Sequence, residues 1–368
     1  MPQLKKIVIQ DFRNISLQEV EFSPNINCIS GGNGEGKTNL LDAIWYLSMT
    51  KSAFSPSDRF NFRYGTSAFA VSGTYDMGGG LCSKFSIRTS DGEKKMMRDD
   101  KFYPRISEHI GVIPIVMVSP ADTAMVSESG EERRKFVNAV LSQMSPGYLD
   151  SIQQYNRYLL QRNKALKEGI CDDTLLDTFD YRLSATAGPV HEARKQFCDD
   201  LTPIVADYYR HISGGKENVG IDYRSDLLEG PLSGTLASCR DKDKALRFTS
   251  AGIQRDDFIF TMDGYPIRRC GSQGQQKSFL VALKFAQYEL MKRKRGVPPI
   301  MLLDELFDKL DMDRVSNLLK MVADKEFGQI FLTDSNKTRI RAIVDSITSD
   351  RAYFETKGGV FTRINEQD

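Results

Sequence analysis

GGNGEGKT, residues 31–38, follows the apolar run INCIS at 26–30 and opens TNLLDAIWYLSM, 38–49. That order predicts a buried strand, a glycine-rich turn and a helix, with Leu40, Ile44 and Leu47 on one helix face and Leu41 and Trp45 beside it. Such a turn wraps backbone N–H groups around phosphate oxygens at a helix N-terminus, where the helix dipole also favours negative charge. Gly31, Gly34 and Gly36 allow the positive-φ turns and the close approach, with Asn33 and Glu35 between them. Lys37 brings a point charge to the β- and γ-phosphates, Thr38 offers its hydroxyl to Mg²⁺, and Asn39 follows in the first helical turn. The expected ligands are ATP and Mg²⁺.

Two further stretches complete a nucleotide site. PIMLLDE, 299–305, reads as a buried strand ending in two carboxylates. In a chain with a P-loop, Asp304 would hold Mg²⁺ and Glu305 would polarise the attacking water. Alone, four apolar residues before two acids are common; after GGNGEGKT, in this chain order, they carry weight. CGSQGQQKSFLVALKFAQYELMKRKR, 270–295, puts Ser272, Gln273, Gly274 and Gln275 at the start of a long helix. A serine hydroxyl and free N–H groups there form a second anion site. One chain already has such a site in its P-loop, so a second makes sense if it grips the γ-phosphate held by another subunit. This is the signature arrangement of ABC ATPases, and it implies an ATP-dependent homodimer. Leu310-Asp311 fits the loop that crosses such an interface. The strand from Gln329 to Thr333 ends in Thr333-Asp334 where transporter ATPases place a switch histidine. Either a polar side chain senses the γ-phosphate there, or that sensing step is absent.

Around these motifs the chain reads as three parts. Ile7 to Phe12, Val20 to Phe22 and Ile26 to Ser30 are short strands, and SAFAVSGTY and LCSKFSIRT flank Gly78 to Gly80 as an antiparallel hairpin. From Glu131 to about Ser213 the period is helical, with breaks expected near Pro146-Gly147, Gly169, Gly188-Pro189 and Pro203 and no persistent heptad pattern. The fold class expected is α/β: an ABC-type P-loop core from residues 1–120 and 247–368, an antiparallel β layer, and a helical lobe inserted over 121–246. Cys28, Cys82, Cys171, Cys198, Cys239 and Cys270 are scattered, without the close spacing of a zinc or redox site, and His109, His191 and His211 lie near no other candidate ligand. No apolar run approaches the ~20 residues of a membrane-spanning helix, and the N-terminus does not read as a cleavable signal; both point to the cytoplasm. With 50 basic and 49 acidic residues the global field is weak, so a nucleic-acid site would have to come from local clusters.

Taken together these residues resemble the RecF family. The likeness lies in DFRN at 11–14, FSPNIN at 22–27, GGNGEGKTNLLDAI at 31–44, SPAD at 119–122, GEERRKFV at 130–137, AGIQRDDF at 251–258 and CGSQGQQKS at 270–278. Departures fall at Ile253 and Gln254, where the family has Pro and His, at Asn138 after the arginine pair, and at Asp308 and Lys309. The resemblance implies that Arg13 reaches the nucleotide phosphates, that ATP binding drives DNA binding at single-strand gaps or duplex junctions, that hydrolysis is slow, and that recombination mediator proteins are partners. No DNA-reading motif is present. The basic clusters are Lys292 to Arg295, Arg133 to Lys135, and the helical series Arg157, Arg162, Lys164 and Lys167. A transporter ATPase subunit is disfavoured by the missing histidine and the large insertion, and a P-loop kinase by the signature helix.

Overall fold

The computed structural model describes residues 1–90, 92–170, 172–305, 327–345 and 348–364. The chain divides into two compact units, one of Met1–Thr123, Tyr208–Lys216 and Ser272–Asp368, the other of Ala124–Asp207 and Glu217–Gly271.

The first unit holds two sheets. One orders β2 (Ile15–Glu21), β1 (Gln3–Phe12), β4 (Ala68–Asp76), β5 (Cys82–Ser90), β6 (Glu93–Arg98) and β7 (Lys101–Phe102), antiparallel throughout. Strands β4 and β5 alternate in burial, as a half-solvated antiparallel sheet requires; Ile7, Ile9, Val71, Phe85 and Ile87 face inward. The other orders β15 (Val360–Ile364), β14 (Arg351–Lys357), β3 (Ile26–Ser30), β13 (Ile330–Asp334), β12 (Ile300–Asp304) and β8 (Ile115–Val118). From β14 to β8 it is parallel. Strands β3, β8, β12 and β13 are buried at every residue, which is why INCIS, IVMV, IMLLD and IFLTD read as unbroken apolar runs. Gln329 joins the two sheets: its amide nitrogen donates to Leu4 and Ser23 carbonyls, both at 2.8 Å, and its oxygen accepts from Leu4 N at 2.7 Å. A buried amide satisfied on both sides fixes the layers' register.

The second unit contains helices Gly130–Met144 and Pro146–Glu168, most of Asp173–Ser213, and a three-stranded sheet of β9 (Val219–Arg224), β10 (Asp257–Met262) and β11 (Tyr265–Pro266). Two of the helix breaks fall where proline and glycine predict them. Ser145 caps the second helix by accepting from Tyr148 N at 3.2 Å, Pro146 occupies its first turn, and Gly169 ends it at φ 74°. The other two do not occur: helix Asp173–Ser213 runs through both Pro189 and Pro203. Each proline removes one intrahelical bond, but Leu183, Ala187, Val190, Phe197, Leu201 and Val205 are buried along one stripe and outweigh that loss. The stripe also carries Asp180 and Arg194, buried and charged. With them the buried stripe keeps a three-four spacing from Asp180 to Ile204. Among the described residues no helix is long and apolar enough to cross a membrane.

Candidate nucleotide site

The strand order puts β13 between β3 and β12, so the ends of all three lie side by side at the carboxyl edge of the parallel sheet. This edge is where open α/β sheets bind ligands. The turn after β3 has Gly34 at φ 82° and Gly36 at φ 108°. A Cβ on Gly36 would sit 2.9 Å from the Asn14 amide, so the position is doubly restricted to glycine. Asn33 is exposed at the crest of the loop. Glu35 faces the other way: its carbonyl accepts from Gly359 N at 2.9 Å and Thr356 Oγ1 at 3.0 Å, and its carboxylate from Gly358 N. The β14–β15 turn therefore clamps the loop from behind.

Lys37 is buried, and its ammonium donates to the carbonyls of Gly31 at 2.8 Å and Gly32 at 2.9 Å, 3.7 Å from Glu305 Oε1. Thr38 Oγ1 donates to Asp304 Oδ2 at 2.9 Å. Thr333 Oγ1 donates to Asp304 Oδ1 at 2.7 Å and accepts from the Glu305 backbone N–H at 3.1 Å. These contacts follow from register, since Thr333 pairs with Asp304 on one side and with Ile29 on the other. Glu305 adopts φ 48°, in the left-handed region. A non-glycine residue held there costs about 1 kcal/mol, and such local strain is concentrated at working sites. The fully buried Thr333 hydroxyl thus stands where a switch histidine was looked for, bonded to both acids.

The Arg13 guanidinium is engaged beside the loop. It pairs with Asp42 at 2.6 Å and donates to Asn39 at 3.0 Å, Ser52 at 3.0 Å, Ser55 at 3.1 Å and Asn61 at 3.3 Å. Asn39 in turn donates to Asn14 at 2.8 Å. Asp42, an acid in the apolar run LLDAI, is the residue sequence reasoning missed. A carboxylate on the buried face of an amphipathic helix demands a cation, and Arg13 was already in view.

Ser272 caps helix Gln273–Arg295 with a reciprocal box: Gln275 N reaches its hydroxyl at 3.3 Å and Ser272 N reaches Gln275 Oε1 at 2.7 Å. Ser272 and Gln273 are exposed and Gly274 is half-buried, and none of their hydrogen bonds reaches Lys37, Asp304 or Glu305 among those described. The helix is anchored further along, where Lys284 pairs with Asp122 of SPAD at 2.8 Å and Asp122 also accepts from Ser119 N at 2.7 Å. Lys277 and Leu280 of this helix line a pocket with Val118, Asp122, Asp304 and Glu305. Leu310-Asp311, Asp308 and Lys309 lie outside the described residues.

The basic clusters are mostly neutralised. Arg162 is fully buried against Asp180 at 2.9 Å and Asp243 at 2.7 Å, so it is an internal strut and not a surface contact. Arg133 pairs with Asp257 at 2.8 Å and Lys135 with Glu132 at 2.7 Å. In the KRKR run Arg293 pairs with Glu289 at 2.8 Å and Arg295 donates to the Gly111 carbonyl. Arg157 and Lys167 remain exposed.

A family model described as AAA domain matches residues 6–170. The DNA replication and repair protein RecF of Parabacteroides distasonis is 42% identical over 363 residues, covering 99% of this chain and 100% of that protein. RecF of Bacteroides fragilis is 38% identical over 367 residues, covering 99% of each chain. Among solved structures, the recombination mediator protein RecF with ATP, described as part of the RecFOR pathway, superposes with a TM-score of 0.89 at 27% identity, over 99% of this chain and 98% of that one. An Smc head domain from Pyrococcus furiosus superposes at 0.58 with 14% identity, over 99% of this chain and 96% of that one, a likeness of fold alone.

Proposed function

The chain belongs to the RecF family of DNA replication and repair proteins, carries a P-loop ATPase core of the ABC and SMC-head type, and we propose that it is an ATP-driven DNA clamp. In this reading two copies close head to tail on ATP, each offering Ser272, Gln273, Gly274 and Gln275 to the γ-phosphate held by the other. The closed dimer grips DNA at single-strand gaps or duplex junctions, slow hydrolysis reopens it, and recombination mediator proteins act with it. The inserted lobe, residues 121–246, adds surface to the grip. The observation that carries the reading is the convergence of Lys37, Thr38, Asp304, Glu305 and Thr333 at one sheet edge.

The oxygens of Thr38 and Asp304, 2.9 Å apart, are the hard donor type that Mg²⁺ takes. Bound there, Mg²⁺ would supply charge neutralisation across the β- and γ-phosphates. Lys37 holds a cation against those phosphates, and Glu305 accepts the proton of the attacking water. Thr333 keeps Asp304 and Glu305 in mutual register. Thr333→Val, which keeps the shape and removes the hydroxyl, should lower kcat about 10-fold, the loss of one donor worth ~1.4 kcal/mol, with ATP affinity unchanged and Thr333→Ser restoring the rate. Wild-type turnover in Thr333→Val would end the positioning role.

The function itself is tested by binding to gapped, duplex and single-stranded DNA with and without ATP and Mg²⁺, with light scattering in parallel. ATP should produce both dimer and DNA affinity. Ser272→Arg should lose both while its monomer still binds ATP, whereas Lys37→Met should lose ATP binding as well. DNA affinity that ignores ATP would refute the clamp and point to an ABC-type ATPase acting on some other partner.

A further inference from the structure

The segment between the phosphate-loop helix and β4 braces Arg13 through Ser52, Ser55 and Asn61, and its remaining residues are unusual in composition. Residues 58–64 read DRFNFRY, in which an arginine is twice followed by an aromatic. Ser57 caps a short 3₁₀ turn over Asp58–Asn61, and the chain then pairs with the end of β1 through a Phe12–Phe62 bridge. Phe60 is 69% exposed and Tyr64 101% exposed. Single exposed apolar residues are ordinary, but here two aromatics each stand beside an exposed arginine.

The charge around them is positive. Arg59 has no ion pair among the described residues, and Arg63 faces Asp11 only at 3.6 Å with its side chain 45% exposed. Asp58, beside Arg59 in the chain, is already held by Lys94 at 2.7 Å and by the Tyr46 hydroxyl at 2.7 Å. The same end of the antiparallel sheet adds Arg88, exposed on β5 and opposite Ala70 and Lys95 in register.

Resting on the reading that this protein grips DNA, we propose that residues 58–64 are a stacking platform for single-stranded DNA, with Phe60 and Tyr64 taking bases and Arg59 and Arg63 taking phosphates. A duplex turns its phosphates outward and keeps its bases stacked inside, so exposed aromatic rings gain nothing from it. An unpaired strand offers both partners. The platform is also wired to the nucleotide site. Asn61, fully buried between Phe60 and Phe62, accepts from Arg13, whose other hydrogen bonds reach Asp42 and Asn39 on the phosphate-loop helix. A shift of that helix therefore moves the platform.

The test uses the full chain with ATP and Mg²⁺, a short fluorescein-labelled oligothymidine, and a blunt duplex. Phe60→Ala and Tyr64→Ala should each weaken oligothymidine binding about 10-fold, the usual cost of one lost base stack, and leave the duplex within about 2-fold. Tyr64→Trp should retain the affinity. Arg59→Gln and Arg63→Gln should each flatten the salt dependence by about 0.7 in log–log slope. The residues are on the surface, so ATP binding and melting temperature should match wild type in every variant. If ATP-dependent DNA binding persists and the double alanine variant still binds oligothymidine as wild type does, this inference alone fails and the patch is a protein-docking surface. Equal losses on duplex and single strand overturn it too. A wild-type chain that binds no DNA in any nucleotide state removes the clamp and the platform together.

Discussion

Glu305→Gln should lower steady-state ATP hydrolysis by about 10²–10⁴-fold, the range attributed to a general base, and leave ATP affinity within a few-fold. The amide has the carboxylate's shape and keeps the Glu305 N–H bond to Thr333, which belongs to the backbone. What it loses is the capacity to take a proton. It also loses the charge 3.7 Å from Lys37, a long contact whose removal should change nucleotide binding little. With hydrolysis blocked and binding intact, the proposed clamp should remain a closed dimer after excess ATP is removed, and its complex with DNA should dissociate more slowly than wild type. Single-turnover hydrolysis and light scattering after rapid desalting measure the two effects independently. Hydrolysis above about a tenth of wild type would place the base elsewhere. The pocket shared by Lys277, Asp122, Asp304 and Glu305 would then hold the alternative base.

Most of that site was legible because local chemistry dictates it. A P-loop needs glycine where φ is positive and a lysine at the helix start, and those needs are written consecutively in residues 31–38. The parallel strands announce themselves as apolar runs because both faces are covered. Thr333 could be flagged in sequence by its place at the end of a strand, but its bonds to Asp304 and to the Glu305 N–H depend on β13 lying between β3 and β12. Strand order is a non-local property. The clamp of Glu35 by Gly358 and Gly359 joins residues over 300 positions apart and left no local trace. The long helix shows the opposite failure. Prolines at 189 and 203 are strong local breakers, and Asp180 and Arg194 look like solvent positions. Partners elsewhere in the second unit override both signals: Asp180 is taken by Arg162, and Arg194 by Asp256. Arg162 was misjudged for the same reason. A cation in a helical series looks solvated until its two carboxylates come from 18 and 81 residues away.

Asp256→Ala should destabilise the second unit by about 3–5 kcal/mol, as breaking one half of a buried ion pair does. AGIQRDDF, whose proline and histidine are replaced here by Ile253 and Gln254, is the hub of that unit. Asp256 Oδ2 accepts from Arg194 at 2.5 Å and from the Tyr223 hydroxyl at 2.7 Å, and its carbonyl accepts from Arg134 at 2.8 Å. Arg194 also donates to the Ile253 carbonyl at 2.7 Å, Asn138 at 3.0 Å and Tyr148 at 3.2 Å. Tyr155 donates to Gln254. Three helices and β9 therefore meet on one carboxylate and one guanidinium, both almost wholly buried. Removing Asp256 leaves the buried Arg194 cation with neutral hydrogen-bond partners and no counter-charge, and that cost is larger than the net worth of the pair. Arg194→Met alone should cost a comparable amount by stranding Asp256. Joined to Asp256→Ala, it should cost less than the sum, because no buried charge is then left without a partner. Urea denaturation of the four proteins, followed by far-ultraviolet circular dichroism with ATP binding in parallel, closes the cycle. Lys37, Thr38, Asp304 and Glu305 all belong to the other unit, so nucleotide affinity should survive in variants that have lost the lobe's stability. Single variants that cost under about 1 kcal/mol would mean that water enters and screens the pair, and the hub would then be packing alone.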